Sequence, residues 1–166
     1  MKKIFAVLAF VAMTLTASAQ LKTFDGKLFS CQYPADFEAQ EQWLDEAFNA
    51  KGTDEVGFLS VSLTDIDMTT EQLKRWADGM KMLTESSFGE PTGWKSGATV
   101  LKGNMVSFRA EGPVEVDEEK VTAVKYIYCF VTPQKKCFSG EMKFKKSDEA
   151  KYKPLFDKIL TSCKEK

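Results

Sequence analysis

The sequence predicts an α+β fold, an antiparallel β-sheet flanked by helices. Three stretches carry that expectation. Val121–Lys145 holds two apolar runs on either side of a proline-containing turn, TPQKK, which is the pattern of an antiparallel hairpin. TTEQLKRWADGM, beginning at Thr69, opens with a Thr-x-x-Gln capping box, so a helix starts there. From Tyr152 to Cys163, Leu155, Phe156, Ile159 and Leu160 recur at helical spacing and give a terminal helix its buried stripe.

In the central hairpin, pairing residues so that their numbers sum to 266 sets Tyr128 against Phe138, Val124 against Met142 and Lys125 against Glu141. Each pair is favourable across a ladder. Cys129 then faces Cys137. Upstream, Leu28–Tyr33 reads as a strand with Phe29, Cys31 and Tyr33 on one face, stopped by Pro34. Between Glu38 and Lys51, Trp43, Leu44, Ala47 and Phe48 lie at helical spacing with Gly52 as a C-cap, which favours a helix over a poorer strand pattern. Val56–Leu63 is a strand. In the capped helix, Leu73, Trp76, Ala77, Met80 and Leu83 form one stripe, with an end expected at Phe88–Gly89. Trp94–Leu101 and Met105–Ala110 form a second hairpin around Gly103, and Glu111–Lys120 reads as an exposed loop. The terminal helix is capped by Ser147 or Lys153, with its regular part starting at Pro154. The sheet should hold about five to seven strands. Phe156→Ala and Trp76→Ala are each expected to cost about 3–5 kcal/mol if both rings are buried.

Residues 1–19 have the layout of a secretory signal peptide: Lys2 and Lys3, an apolar core over 4–15, and Ala17-Ser18-Ala19 before the cut. The core is too short for a membrane span. The expected product is an exported, periplasmic or secreted chain of one domain, 20–166. Its net charge changes from −1 to −3 once Lys2 and Lys3 are removed. Scattered lysines at that charge give no footprint for nucleic acid. Four cysteines in an exported chain permit two bridges. Cys129–Cys137 follows from the hairpin register, and Cys31–Cys163 by elimination; the alternative is four reduced, buried thiols.

The chain has no histidine. That removes Ser-His-Asp and Cys-His nucleophiles and the usual general base near neutral pH. No P-loop, GxGxxG or CxxC occurs. No cofactor, metal or catalytic residue is expected. Asp65, Asp67 and Glu71 crudely resemble calcium ligands, but Glu71 sits in a helix's first turn, where acids are favoured anyway. Glu115, Asp117, Glu118 and Glu119 are candidates for a docking loop that meets a basic partner. Trp43, Trp76 and Trp94 would stack a sugar if they shared a groove, and otherwise belong to the core.

Tyr33-Pro34-Ala35-Asp36-Phe37 resembles the "YP-x-aromatic" element of PsbP-like proteins. The helix at Thr69, the four strands after it and the final EAKYKPLFDKILTSCK helix follow in that family's order. The family includes photosynthetic PsbP, a Ran-binding nuclear import protein and bacterial DcrB-type envelope proteins. The resemblance implies an α/β/α sandwich in which 38–51 contains a strand, against the helical spacing. It also implies a non-enzymatic adaptor or assembly module with an envelope protein partner, and it assigns no functional residue here. The alternative is a carrier with an apolar-ligand pocket between sheet and helix.

Overall fold

A computed structural model describes residues 20–166; the expected signal peptide lies outside the described residues. In chain order the elements are β1 (Leu21–Asp25), β2 (Phe29–Pro34), β3 (Phe37–Ala39), β4 (Ala47–Gly52), β5 (Phe58–Thr64), α1 (Thr70–Glu85), β6 (Ser86–Ser87) and β7 (Glu90–Pro91). There follow β8 (Lys95–Ser96), β9 (Val100–Lys102), β10 (Met105–Val116), β11 (Glu119–Val131), β12 (Cys137–Lys145), α2 (Glu149–Ser162) and β13 (Lys164–Glu165). The larger sheet has eight strands, in the order β3-β4-β5-β12-β11-β10-β8, with β9 also paired to β10. A smaller sheet, β1-β2-β13, lies apart from it, and every pairing is antiparallel.

Strand alternation sorts the core into two layers. On one face of the large sheet Val124, Tyr128, Phe138, Met142 and Phe144 meet Tyr152, Leu155, Phe156 and Ile159 of α2 and Phe29, Cys31 and Tyr33 of β2. On the other, Val106, Phe108, Ala110, Ile127 and Cys129 meet Leu73 and Ala77 of α1. The large sheet is thus sandwiched between α1 and a layer made of α2 and the small sheet.

The capping box forms: Gln72 N–H donates to Thr69 Oγ1 and Gln72 Oε1 accepts from Thr69 N–H. Several sequence expectations need correction. The β11–β12 register is two residues away from the expected one: Tyr128 opposes Gly140, Val124 opposes Phe144, Lys125 opposes Lys143 and Cys129 opposes Ser139. An even slip leaves every side chain on its expected face, so alternation alone does not detect it. The close approach at Gly140 fixes the pairing. There the Tyr128 hydroxyl reaches over β12 to donate to the Ser60 carbonyl, 3.3 Å away, and a Cβ on residue 140 would collide with that carbonyl.

The 38–51 segment is β3, a loop and β4 rather than a helix. Phe48 and Ala50 point into the core, and Trp43 and Leu44 are exposed. Helix α1 stops at Glu85, three residues early, and Phe88–Gly89 turns a small hairpin. α2 begins at Glu149, with Asp148 as its N-cap and no side-chain cap, and carries Pro154 inside it. Glu111–Lys120 is not a loop, because β10 and β11 stay paired to Val116 and Glu119.

Candidate functional site

One end of the molecule gathers the groups that project from the fold. α1 ends there, its C-cap Ser86 donating to the Met82 carbonyl. The chain reverses through Phe88 (φ 51°) and Gly89 (φ 86°), a two-residue turn with both residues left-handed. Glycine adopts that conformation freely, whereas a bulky aromatic does so at a cost. Phe88 is fully exposed (106 %), and Met82 and Leu83 on the last turns of α1 are exposed beside it in sequence. Thr92 ties the hairpin down: its hydroxyl donates to the Thr84 carbonyl (2.5 Å) and its N–H to the Glu85 carbonyl (2.9 Å). The Glu85 carboxylate accepts the Ser96 N–H (2.8 Å), an interaction that lowers its pKa.

The same end holds the outer half of the β10–β11 hairpin. Trp94 lies so close over Gly112 that any side chain there would strike the indole, and Gly93 abuts Pro113. Beyond them Glu115, Asp117, Glu118 and Glu119 are all exposed, Asp117 and Glu118 forming the turn at φ 50° and 67°. The four predicted acids are therefore brought together, on the tight turn of a paired hairpin rather than an extended loop.

Inward of the tip lies a charged cluster that joins residues distant in sequence. Arg109 grips Glu149 with two hydrogen bonds (Nε–Oε1 2.7 Å, Nη2–Oε2 2.8 Å) and reaches Glu111 (2.9 Å). Lys146 Nζ donates to the other Glu111 oxygen (2.6 Å), and the Tyr126 hydroxyl to Glu149 (2.7 Å). An open cavity of about 570 Å³, lined by Gly93, Ser96, Arg109, Glu111 and Pro113 among others, adjoins it. The Arg109 guanidinium holds the Glu149 carboxyl down to about 2, with the Tyr126 hydroxyl helping against partial burial. Burial, then Glu149, pushes Tyr126 up to about 12. Arg109 is raised above its already high value by the same partners. None of these groups changes protonation near neutral pH, so the cluster is a clamp on the first turn of α2 rather than an acid–base pair. A smaller clamp sits nearby in α2. Asp36 accepts from Lys151 Nζ and from the Tyr152 hydroxyl, both at 2.6 Å. Neither clamp was legible from the sequence, because each joins residues far apart along the chain.

The cysteines fall into two separate pairs, but all four are free thiols and neither expected bridge is at bonding distance. Cys129 and Cys137 lie on diagonal positions of β11 and β12, both buried on the α1 face, with their thiols in hydrogen-bond contact. That contact, then burial, raises the Cys129 thiol, and the same contact lowers Cys137. Cys31 in β2 neighbours Cys163, the α2 C-cap, whose thiol donates to the Ile159 carbonyl (3.4 Å); interaction with Cys163, then burial, raises the Cys31 thiol far above its usual value.

Asp67 pairs with Lys135 (3.3 Å) and Glu71 with Arg75 (3.6 Å). Among the described residues no three acidic, cysteine or histidine side chains gather as a metal site. Trp43 projects from the β3–β4 loop, whereas Trp76 and Trp94 pack against the α1-side core. Between α2 and the sheet, where a ligand carrier would have its pocket, Tyr126, Tyr128, Phe144, Tyr152 and Phe156 touch ring to ring. No helix among the described residues is long and apolar enough to cross a membrane.

Comparison with solved structures identifies the architecture. The chain superposes on cyanobacterial PsbP (CyanoP) from Synechocystis with a TM-score of 0.54 and 14% identity, covering 92% of this chain and 96% of that one. The Saccharomyces cerevisiae Ran-binding protein Mog1p gives 0.56 and 12%, over 89% and 96%. A Bacteroides thetaiotaomicron protein gives 0.51 and 13%, over 87% of this chain and 48% of its own. The fold is the PsbP-like α+β sandwich. At these identities the likeness concerns fold alone. No family model matches the sequence, and no curated protein matches it either.

Proposed function

We propose that this chain is an exported, non-enzymatic binding module of the bacterial cell envelope. In this reading residues 1–19 are removed and 20–166 form one domain that holds a protein partner at the α1–hairpin end. The observation that carries it is Phe88, a fully exposed aromatic held in a left-handed turn, where it contributes nothing to the core. Aromatic anchors of this kind fill partner pockets at interface centres, and Met82 and Leu83 extend the apolar surface. The acids Glu115, Asp117, Glu118 and Glu119 supply a charged rim that steers a basic surface toward it. Mog1p, which shares this fold, is a Ran-binding protein, which supports the fold's suitability for holding proteins and does not name the partner here.

The test is site-specific photocrosslinking in the native cell. A photoreactive residue at Phe88 should give one discrete adduct with an envelope protein. The same residue at Lys102, at the opposite end of β10, should give none. Equal labelling from both positions, or no adduct from Phe88, would reject this surface. N-terminal sequencing of the cellular protein should begin at Gln20, which tests export separately.

A further inference from the structure

We propose that the four cysteines close two disulfides, Cys31–Cys163 and Cys129–Cys137, and that the first locks the C-terminal strand onto the small sheet. The β2–β13 ladder places Lys164 opposite Ser30 and Glu165 opposite Phe29. Lys166 N–H donates to the Leu28 carbonyl (3.0 Å), which fixes the hydrogen-bonding phase of the pairing. Counting back, Cys163 and Cys31 form a directly opposed pair without mutual backbone hydrogen bonds. Such pairs bring Cα atoms to about 4.5 Å, inside the range that a disulfide spans. Next along, Ser162 Oγ accepts the Gln32 N–H (2.7 Å) and extends the ladder toward α2. In the second pair, Cys129 and Cys137 lie diagonally across β11 and β12, both pointing toward α1. Neither pair has a third ligand for a metal among the described residues. Pairing, rather than metal binding, is the chemistry that this arrangement serves.

The mechanical consequence is specific to Cys163. β13 has two residues and is held by a short ladder. A ladder that short opens locally at little cost unless it is tied down. A bond from Cys163 to Cys31 removes that freedom and fixes α2, whose C-cap is Cys163, to the sheet beneath it.

Each bridge forms by thiol–disulfide exchange. A protein thiolate attacks one sulfur of a donor disulfide, supplied by a thiol–disulfide oxidoreductase or by oxidised glutathione, and expels the other donor sulfur as thiolate. The second protein thiol, losing its proton, then attacks the mixed disulfide and releases the remaining donor sulfur. Per bridge, two protein thiols give up two protons and two electrons, and one donor disulfide becomes two thiols.

The cellular oxidant depends on the export reading, but the chemistry is testable on the purified full chain. Refolded with excess oxidised glutathione, then denatured and alkylated without reduction, the chain should lose two hydrogens per bridge and take no label. Peptide mapping should link Cys31 to Cys163 and Cys129 to Cys137. Four alkylated thiols, or any link joining the two pairs, would overturn the proposal. Hydrogen exchange reads the lock directly. Lys164 and Lys166 amides should exchange at least about tenfold more slowly in the oxidised chain than in the reduced one. Cys163→Ser should abolish that difference, and exchange that is unchanged by oxidation in the wild-type chain would overturn the lock. These measurements need no partner, so their failure is separable from that of the binding surface.

Discussion

The two faces of the eight-stranded sheet bury very different side chains. Toward α2 and the small sheet, Phe48, Phe24, Phe29, Phe138, Phe130, Tyr128, Phe156, Tyr126 and Phe144 form a continuous aromatic layer, with successive ring centroids 4.2–6.3 Å apart. Toward α1 the layer is thinner: Val106, Ala110, Ala77 and Cys129 surround a single Phe108. Past β11 that face is polar, with Ser60, Ser62, Ser139, Glu141 and Lys143 half-buried along β5 and β12. Antiparallel sheets tolerate such a wet face, because each strand presents its two sides independently. The aromatic side holds the fold together. The α1 side spends little of its surface on the core, and at its far end Phe88 and its neighbours face solvent.

Replacing one ring on each face measures that asymmetry. Phe156 is buried against Tyr126 and Tyr128, so Phe156→Ala should cost about 3–5 kcal/mol in urea denaturation. Trp76, expected to match it on sequence grounds, is only partly buried beside the α1-side core, and Trp76→Ala should cost about 1–2 kcal/mol. Equal losses would mean that α1 anchors the sheet as strongly as α2 does.

The clamp at the start of α2 sharpens the contrast through pH. Glu149 is depressed from 4.5 to about 2 in the folded chain, chiefly by Arg109. The unfolded chain binds this proton at higher pH than the folded one does. The stabilisation is therefore complete above about pH 4.5 and is lost as pH falls toward 2. Allowing for solvent screening at a site that is a quarter exposed, it amounts to about 1–2 kcal/mol. Glu149→Gln should remove that difference, so that wild type and variant converge in stability at about pH 2. A variant curve parallel to wild type over the whole range would show that the clamp contributes nothing through charge.

Part of this was legible in the sequence, and the missing parts have physical reasons. The Thr69–Gln72 capping box and the stripe of α2 were readable because both are local. The β11–β12 hairpin was readable but its register was not, since a two-residue slip preserves every face and only the crowding at Gly140 selects among pairings. Trp43 and Leu44 mimic a helical stripe that nothing buries, which drew 38–51 toward the wrong element. Gly112 and Pro113 read as strand breakers, yet β8 pairs with β10 only at Ala110 and Glu111, so Pro113 sits where no neighbour needs its missing N–H. Of the candidate site, the acids at the hairpin tip are visible as a charge run, whereas Phe88 reads in the sequence as the end of a helix that in fact stops at Glu85. The Arg109 clamp spans 40 residues and left no local signal.

The smallest stability effect in this comparison is the one that bears most on function. Phe88 and Gly89 occupy a turn whose two central residues both need positive φ, a position for which Asn-Gly is the preferred pair. Phe88→Asn keeps Gly89, relieves the left-handed aromatic and removes no core contact. Its stability should equal that of the wild type or exceed it by up to about 1 kcal/mol. If it does, the aromatic at 88 is unneeded by the fold, and loss of the envelope adduct from a crosslinker at neighbouring Leu83 in the same variant would assign the ring to the partner. If Phe88→Asn instead destabilises the chain by more than about 1 kcal/mol, the ring supports the α1 side of the sheet after all, and the division of labour between the two faces fails.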